Sequence, residues 1–308
     1  MPAPKLLRRL VAALAPCLLA ACGGAPAQAL VPDVALTAAP SAEPDPAPDA
    51  PAAPALEAAE ALPLAAAPAA PVAPARVFAR PVVPRERTRA IVLLYHLFGA
   101  MDSDLAIAPA AFEEQLQWLG DHHVTVVTAS DLLRFLDGDL LLPERVAVIT
   151  IDDGHTSVYR RAFPLLEKHG MPFALALNTA AIEGKRREAV TWEHVRAMVA
   201  SGLCEIESHS HIHGHMDRLT VETNRREAEI SRSILEARVG VRPEAFVFPF
   251  GGNDARARRV IEEAGYRAAF AAWGREVTTA SPRFALPRVG VGRDTTLASF
   301  ARLFGAAS

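Results

Sequence analysis

Residues 145–151, RVAVITI, constrain the fold of this chain more than any other stretch. A strand with one solvated face alternates apolar and polar side chains, and this β-branched run does not alternate, so it must be buried on both faces. Burial on both faces requires a covering layer on each side of the sheet, the arrangement of parallel β/α folds. The flanking sequence agrees. Short apolar runs at 90–95 (AIVLLY), 124–127 (VTVV), 172–177 (PFALAL), 203–208 (LCEIES), 245–248 (AFVF) and 267–271 (RAAFA) read as strands. Between them, amphipathic stretches at 109–122, 156–169, 191–201, 220–239 and 254–265, and one capped by Ser130, read as helices. The expected class is α/β: a closed or nearly closed (β/α) barrel of about seven units, with an open doubly wound sheet as the alternative. In either case chemistry belongs at the C-terminal ends of the strands.

The alternation begins only at residue 89. Residues 23–88 contain 14 of the chain's 25 prolines and a single aromatic residue, Phe78. Such a segment cannot bury enough apolar surface to offset its chain entropy, and 22–88 reads as a disordered, partly polyproline II tether. Before it, residues 1–21 combine Lys5, Arg8 and Arg9 with an apolar run too short to span a bilayer comfortably, the pattern of an export signal. Its end, Leu19-Ala20-Ala21-Cys22, resembles the lipobox of bacterial lipoproteins. That resemblance implies cleavage before Cys22, a lipid on that cysteine, and a cell-envelope location; Gly23 after it points to the outer membrane. The two other cysteines, Cys17 and Cys204, form no disulfide framework. A net charge of −3 gives no electrostatic footprint for nucleic acid.

Three strand ends carry candidate chemistry. TIDDG (150–154) places Asp152 and Asp153 directly after the buried run; adjacent carboxylates on a strand face opposite ways unless the backbone turns, which Gly154 permits. A solvated Asp-Gly turn is the bland alternative. SHSHIHGH (208–215) holds four of the ten histidines, at 209, 211, 213 and 215. On a straight strand the outer two would lie about 20 Å apart, so one metal ion could hold only a subset brought together by a turn. FVFPFGG (246–252) is, on its own, a tight turn.

Together and in this order these ends resemble the polysaccharide deacetylase family, also called NodB-homology or carbohydrate esterase family 4 proteins. TIDDG matches that family's T-F-D-D-G motif with Ile151 for Phe. EIESHSHIH aligns His209-Ser210-His211-Ile212-His213 with H-[ST]-x-x-H. Val247-Phe248-Pro249-Phe250 matches R-x-P-[FY] without the Arg. IVLLYH and LPRVGV (286–291) also look like segments of bacterial members, so the likeness covers a domain at 89–308, expected as a distorted seven-stranded NodB-type barrel.

The resemblance implies that Asp153, His209 and His213 bind one divalent ion, with Zn2+ the expected metal, and that Asp152 is the general base. It implies further that the backbone N–H of Phe250 donates to the oxyanion. Arg288 is the candidate replacement for the missing motif arginine. The family's late L-H-D histidine has no counterpart, since no histidine follows His215; His96, at another strand end, is the first candidate for its role as general acid. The implied activity is removal of N-acetyl groups from an N-acetylglucosamine polymer outside the cytoplasm, an exopolysaccharide or peptidoglycan. An O-acetyl glycan esterase and a silent glycan-binding lipoprotein are the alternatives. Trp118, Trp192 and Phe112 read as core, Trp273 as a residue that could stack on a sugar, and the charges of 222–232 as a solvated helix face.

Overall fold

The computed structural model describes residues 77–305. The export signal, Cys22 and most of the tether lie outside the described residues. The last part of the tether lies within them: Val82 forms a β-bridge with Pro143, and Arg85–Arg87 form a 3-10 turn that leads into the first strand. No helix among the described residues is long and apolar enough to cross a membrane.

The α/β expectation holds as a curled, half-barrel sheet. Its strands run in the order Glu276–Val277, Arg89–Tyr95, Arg145–Ile151, Phe173–Leu177, Cys204–Ser208, Ala245–Val247, Ala268–Phe270. Five successive pairs along this path are parallel, and only Glu276–Val277 runs antiparallel to its neighbour. Short ladders add Thr125–Val126 beside Arg145–Ile151 and Val289–Gly290 beside Arg89–Tyr95. Because Leu286 also bridges Phe270, the segment 286–290 joins the last strand of the sheet to the first. That closure brings Arg288 among the strand ends.

The two faces of RVAVITI fill two cores, as its lack of alternation requires. Ala147, Ile149 and Ile151 pack outward with Phe112, Leu116 and Leu119 of helix Pro109–Asp121 and with Phe163 and Leu166 of helix Phe163–His169. Val146 and Val148 face inward with Val92, Ala176, Val247 and Phe270. Helix Ala129–Asp137 supplies Leu132, Leu133 and Phe135 to this inner cluster. Its N-cap is Thr128 rather than Ser130, through a capping box with Asp131. Small residues such as Ala90, Ala174 and Ala268 belong to the same cluster.

The charged face of helix Val221–Val239 differs from expectation. Glu227 and Arg232 are buried: Arg232 donates to Ala264 O and lies over the Tyr266 ring, and Glu227 serves the neighbouring loop. Two further acids, Glu205 and Glu207, point inward from strand Cys204–Ser208, where Glu207 accepts the Ala245 N–H at 2.7 Å. Burial, and then the nearby Glu205 charge, push the Glu207 carboxyl well above the usual glutamate range, against the pull of that hydrogen bond. The native state therefore keeps a proton that the unfolded chain releases above about pH 4.3, so stability falls as pH rises from there toward the folded pKa. Glu207→Gln, which keeps an acceptor for Ala245, is expected to flatten that fall. In thermal unfolding at pH 5 and pH 8 the variant should gain a few degrees at pH 8 and little at pH 5; equal shifts at both would contradict the buried neutral acid.

Candidate metal centre and catalytic cleft

Asp152 and Asp153 leave the buried strand through a backbone turn that brings both carboxylates to one cleft. Asp152 N–H donates to Tyr95 O at 2.9 Å, Asp153 has φ +71° and Gly154 φ +69°. A Cβ on Gly154 would meet Leu177 Cδ2 at 2.6 Å, so the close approach demands glycine as well as the dihedral. Asp153, too, is held in the left-handed region, which Asp adopts more readily than most non-glycine residues but at some cost in backbone strain.

The histidine run is not a straight strand either. Ser210 and His213 have φ +63° and +62°, and the turn so formed closes with His213 N–H donating to Ser210 Oγ at 2.9 Å. His209 and His213 thereby converge, with Nε2 atoms 3.1 Å apart, and lie 3.4 and 3.0 Å from Asp153 Oδ1. His211 turns away to bond Thr179 Oγ1 at 2.9 Å. His215 stacks on the Phe250 ring, with centroids 4.0 Å apart.

The donor set fits a divalent ion. Asp153, His209 and His213 each offer one ligand atom, all within 4.8 Å of one another, and no other such group of three occurs among the described residues. His209 Nδ1 lies 2.8 Å from Val247 O; the proton that bond requires sits on Nδ1, which leaves the Nε2 lone pair free for the ion. Two imidazole nitrogens and a carboxylate oxygen, with the remaining directions open to a cleft, suit a catalytic rather than a closed structural site.

Asp152 stands beside this cluster without joining it, its Oδ2 3.8 Å from His209 Nε2. Arg288 grips it with two parallel hydrogen bonds, Nη1 to Oδ1 at 2.7 Å and Nη2 to Oδ2 at 2.8 Å. The same guanidinium donates to Ala271 O and Thr150 Oγ1, and both side chains are almost completely buried. Burial works to raise the Asp152 pKa, but the charges of Arg288 and His209 and the Arg288 hydrogen bonds outweigh it and hold the carboxyl below its ordinary value. Asp153 is likewise held below its ordinary value: burial opposes ionisation, and the hydrogen bonds of His209 and His213 together with the charge of His209 overcome it. The guanidinium paired with Asp152 thus comes from 136 residues along the chain.

The cleft above these groups measures about 540 Å3. His96, Phe248, Phe250 and Gly251 line it with the acidic and histidine groups, and Asp104, Leu105, Trp273, Asp294 and Thr295 form its outer wall. Phe250 (φ +56°) and Trp273 are exposed aromatic residues, at 56% and 79%, so apolar surface is presented at the mouth. Trp118 and Phe112 are core, and Trp192 is half-buried with its indole N–H on Glu183. His96 Nδ1 is buried without a hydrogen-bond partner. Burial lowers the His96 pKa, against the opposing pull of Asp152 and Asp153, so the ring is neutral near pH 7.

Residues 141–269 match the family model described as polysaccharide deacetylase. That matched segment is a polysaccharide deacetylase domain. The matched segment holds Asp152, Asp153, His209, His213 and Phe250, while His96 and Arg288 lie outside it. Among curated proteins this chain is 27% identical over 176 residues to YxkH of Bacillus subtilis (strain 168), covering 57% of this chain and 62% of that one. It is 27% identical over 238 residues to the poly-beta-1,6-N-acetyl-D-glucosamine N-deacetylase of Escherichia coli (strain K12), covering 64% of this chain and 35% of that one. Both relatives are therefore matched over less than two thirds of their own length. Among solved structures, the Streptococcus pyogenes deacetylase PplD in complex with acetate superposes with a TM-score of 0.66 at 17% identity, over 70% of this chain and 98% of that one, which establishes the shared fold.

Proposed function

We propose that this protein is a metal-dependent hydrolase that removes N-acetyl groups from an N-acetylglucosamine-containing polysaccharide. The observation that carries the reading is the pairing of two unlike acidic groups at one strand end: Asp153 joined to two imidazoles, and Asp152 held ionised by Arg288 next to them. A glycan-binding module has no use for a buried carboxylate kept charged beside a ligand cluster; a hydrolase does.

Asp153, His209 and His213 would hold the ion, expected to be Zn2+. A divalent ion so held supplies Lewis acidity, acidifying water and polarising an acyl carbonyl. Asp152 takes a proton from the water that attacks the acetyl carbonyl carbon. The Phe250 backbone N–H donates to the carbonyl oxygen as negative charge develops on it. The carbon–nitrogen bond then breaks, and the proton returns to the nitrogen, leaving acetate and a free amine on the sugar. His96 is the group assigned to that return step, since its neutral ring lines the cleft and can accept one proton and release another. The poly-N-acetylglucosamine deacetylase named above supports the substrate class. The lipobox-like Leu19–Cys22 supports an envelope lipoprotein held by its lipid, in the outer membrane and facing the periplasm, with the Pro/Ala-rich segment as tether.

Acetate release by the full chain from N-acetylglucosamine oligomers, peptidoglycan and acetylated xylan tests the proposal. Release from an N-acetylated substrate, abolished by a chelator, is the expected result. Release from xylan alone would make the protein an O-acetyl esterase, a reading favoured by the absence of any histidine after His215, because an alkoxide leaves without the protonation an amine needs. Release from none, with metal bound, would make it a binding module.

A further inference from the structure

We propose that Glu227 is a positioning residue for the metal centre: one buried carboxylate oxygen fixes the turn that carries His213 toward Asp153 and His209. The inference rests on the reading of those three residues as metal ligands.

Helix Val221–Val239 turns a polar stripe toward strand Cys204–Ser208 and the loop that follows it. Asn224, Glu227 and Ser231 stand three and four residues apart, hence on one helix face, and all three are buried. Buried polar side chains in a helix are expected to have fixed partners, and here the partners bracket the ligand loop. Ser231 Oγ lies 2.8 Å from Ser208 Oγ, immediately before His209. Glu227 Oε2 accepts the N–H groups of His211 at 2.9 Å and Ile212 at 2.7 Å, immediately before His213. Asn224 Nδ2 donates to Met216 O at 2.7 Å, beyond the run.

The middle contact controls the geometry. Between the two ligand histidines the backbone must pass through φ +63° at Ser210 and reach φ +62° at His213, conformations that non-glycine side chains adopt only under constraint. The charge-assisted pair of bonds to Glu227 supplies that constraint by anchoring the two peptide N–H groups that lie between these positions. Thr179 N–H and Ala180 N–H donate to the carbonyls of Ser210 and His211 from the other side, so both edges of the turn are held. Without the carboxylate, Ser210 and His213 can relax to ordinary backbone angles. His213 Nε2 then leaves its 3.0 Å approach to Asp153 Oδ1, while His209, anchored separately through Nδ1 to Val247 O, stays.

The test is metal affinity of the full chain, measured by competition against a chromophoric chelator for Zn2+ and by the visible absorption of the Co2+ form. Glu227→Met removes the acceptor at similar length, Glu227→Asp draws it back by one methylene, and Glu227→Gln keeps an oxygen for both N–H groups. The expected result is Zn2+ affinity weakened about 10- to 100-fold in the Met and Asp variants, a changed Co2+ spectrum in both, and recovery to within about threefold of wild type in Gln. Should Glu227→Met fail to fold, Glu227→Asp carries the comparison. Wild-type affinity and spectrum in the Asp or Met variant, even with a lowered metal-free melting temperature, would overturn the positioning role and leave a merely structural one. A wild-type chain that takes up no ion would instead overturn the metal-centre reading itself, and this inference with it.

Discussion

Asp152→Asn is expected to lower the rate of acetate release by about 10²- to 10⁴-fold while bound metal stays at the wild-type level. The two halves of that result separate the roles of adjacent residues. The amide that replaces the carboxylate cannot take a proton from water, so the step assigned to Asp152 is lost; Asp153, His209 and His213 are unchanged, so the ion stays. Asp153→Ala is the mirror case, losing the metal together with the activity. A variant at Asp152 that lost metal as well would place that residue among the ligands, which its complete engagement with Arg288 argues against.

Arg288→Met is expected to have the largest effect on stability of any single change in the site. The guanidinium and the Asp152 carboxylate are both about 1–2% exposed, and removing one partner leaves the other as an uncompensated buried charge. Such a break costs about 3–5 kcal/mol, or about 6–20 °C in melting temperature for a domain of this size. It should also move the pH profile. In the native protein the Asp152 pKa is held below its ordinary value of about 3.9, so its contribution to stability is full above that pH and is lost as pH falls through the folded pKa. With Arg288 gone, burial is opposed only by the histidines, the Asp152 pKa rises, and the acid limb of acetate release shifts to higher pH. Melting curves and a pH–rate profile of Arg288→Met check both effects; an unchanged acid limb would show that Asp152 is not the base or that Arg288 does not hold it ionised. Arg288→Lys should recover only part of the loss, because a point charge cannot make the paired, parallel contact.

How far the sequence revealed this site depended on whether the information was local. RVAVITI was legible to the residue, because a strand buried on both faces writes its environment into seven consecutive positions. The turn at Asp152–Gly154 was legible as a possibility, through Gly154, but its realisation required φ +71° at Asp153, a conformation that Asp tolerates better than most side chains but that its sequence does not dictate. The register of the histidine run could be fixed only by resemblance to H-[ST]-x-x-H, and the structure supplies the reason that register works: positive φ at Ser210 and His213 folds a four-residue span back on itself. Glu227 was not legible. Among the charges of 222–232 it looked like one more solvated helix residue, and what distinguishes it is a pair of N–H groups on a different element 15 and 16 residues away. The short elements Thr179–Glu183, Glu276–Val277, Val289–Gly290 and Leu297–Leu303 were also missed, being too brief to display a period of their own. Yet Val289–Gly290 belongs to the segment that delivers Arg288, so the least periodic part of the domain completes its most buried ion pair.

The central claim is that Asp153, His209 and His213 together hold one ion on which hydrolysis depends. Metal content and acetate release, measured on the same preparations of wild type, His209→Ala and His213→Ala after chelation and reloading with Zn2+, test it most directly. About one ion per wild-type chain, with activity lost on chelation and regained on reloading, and neither bound metal nor activity in the two variants, is the predicted outcome. Full metal content in both variants, or wild-type activity that survives complete removal of metal, would contradict it.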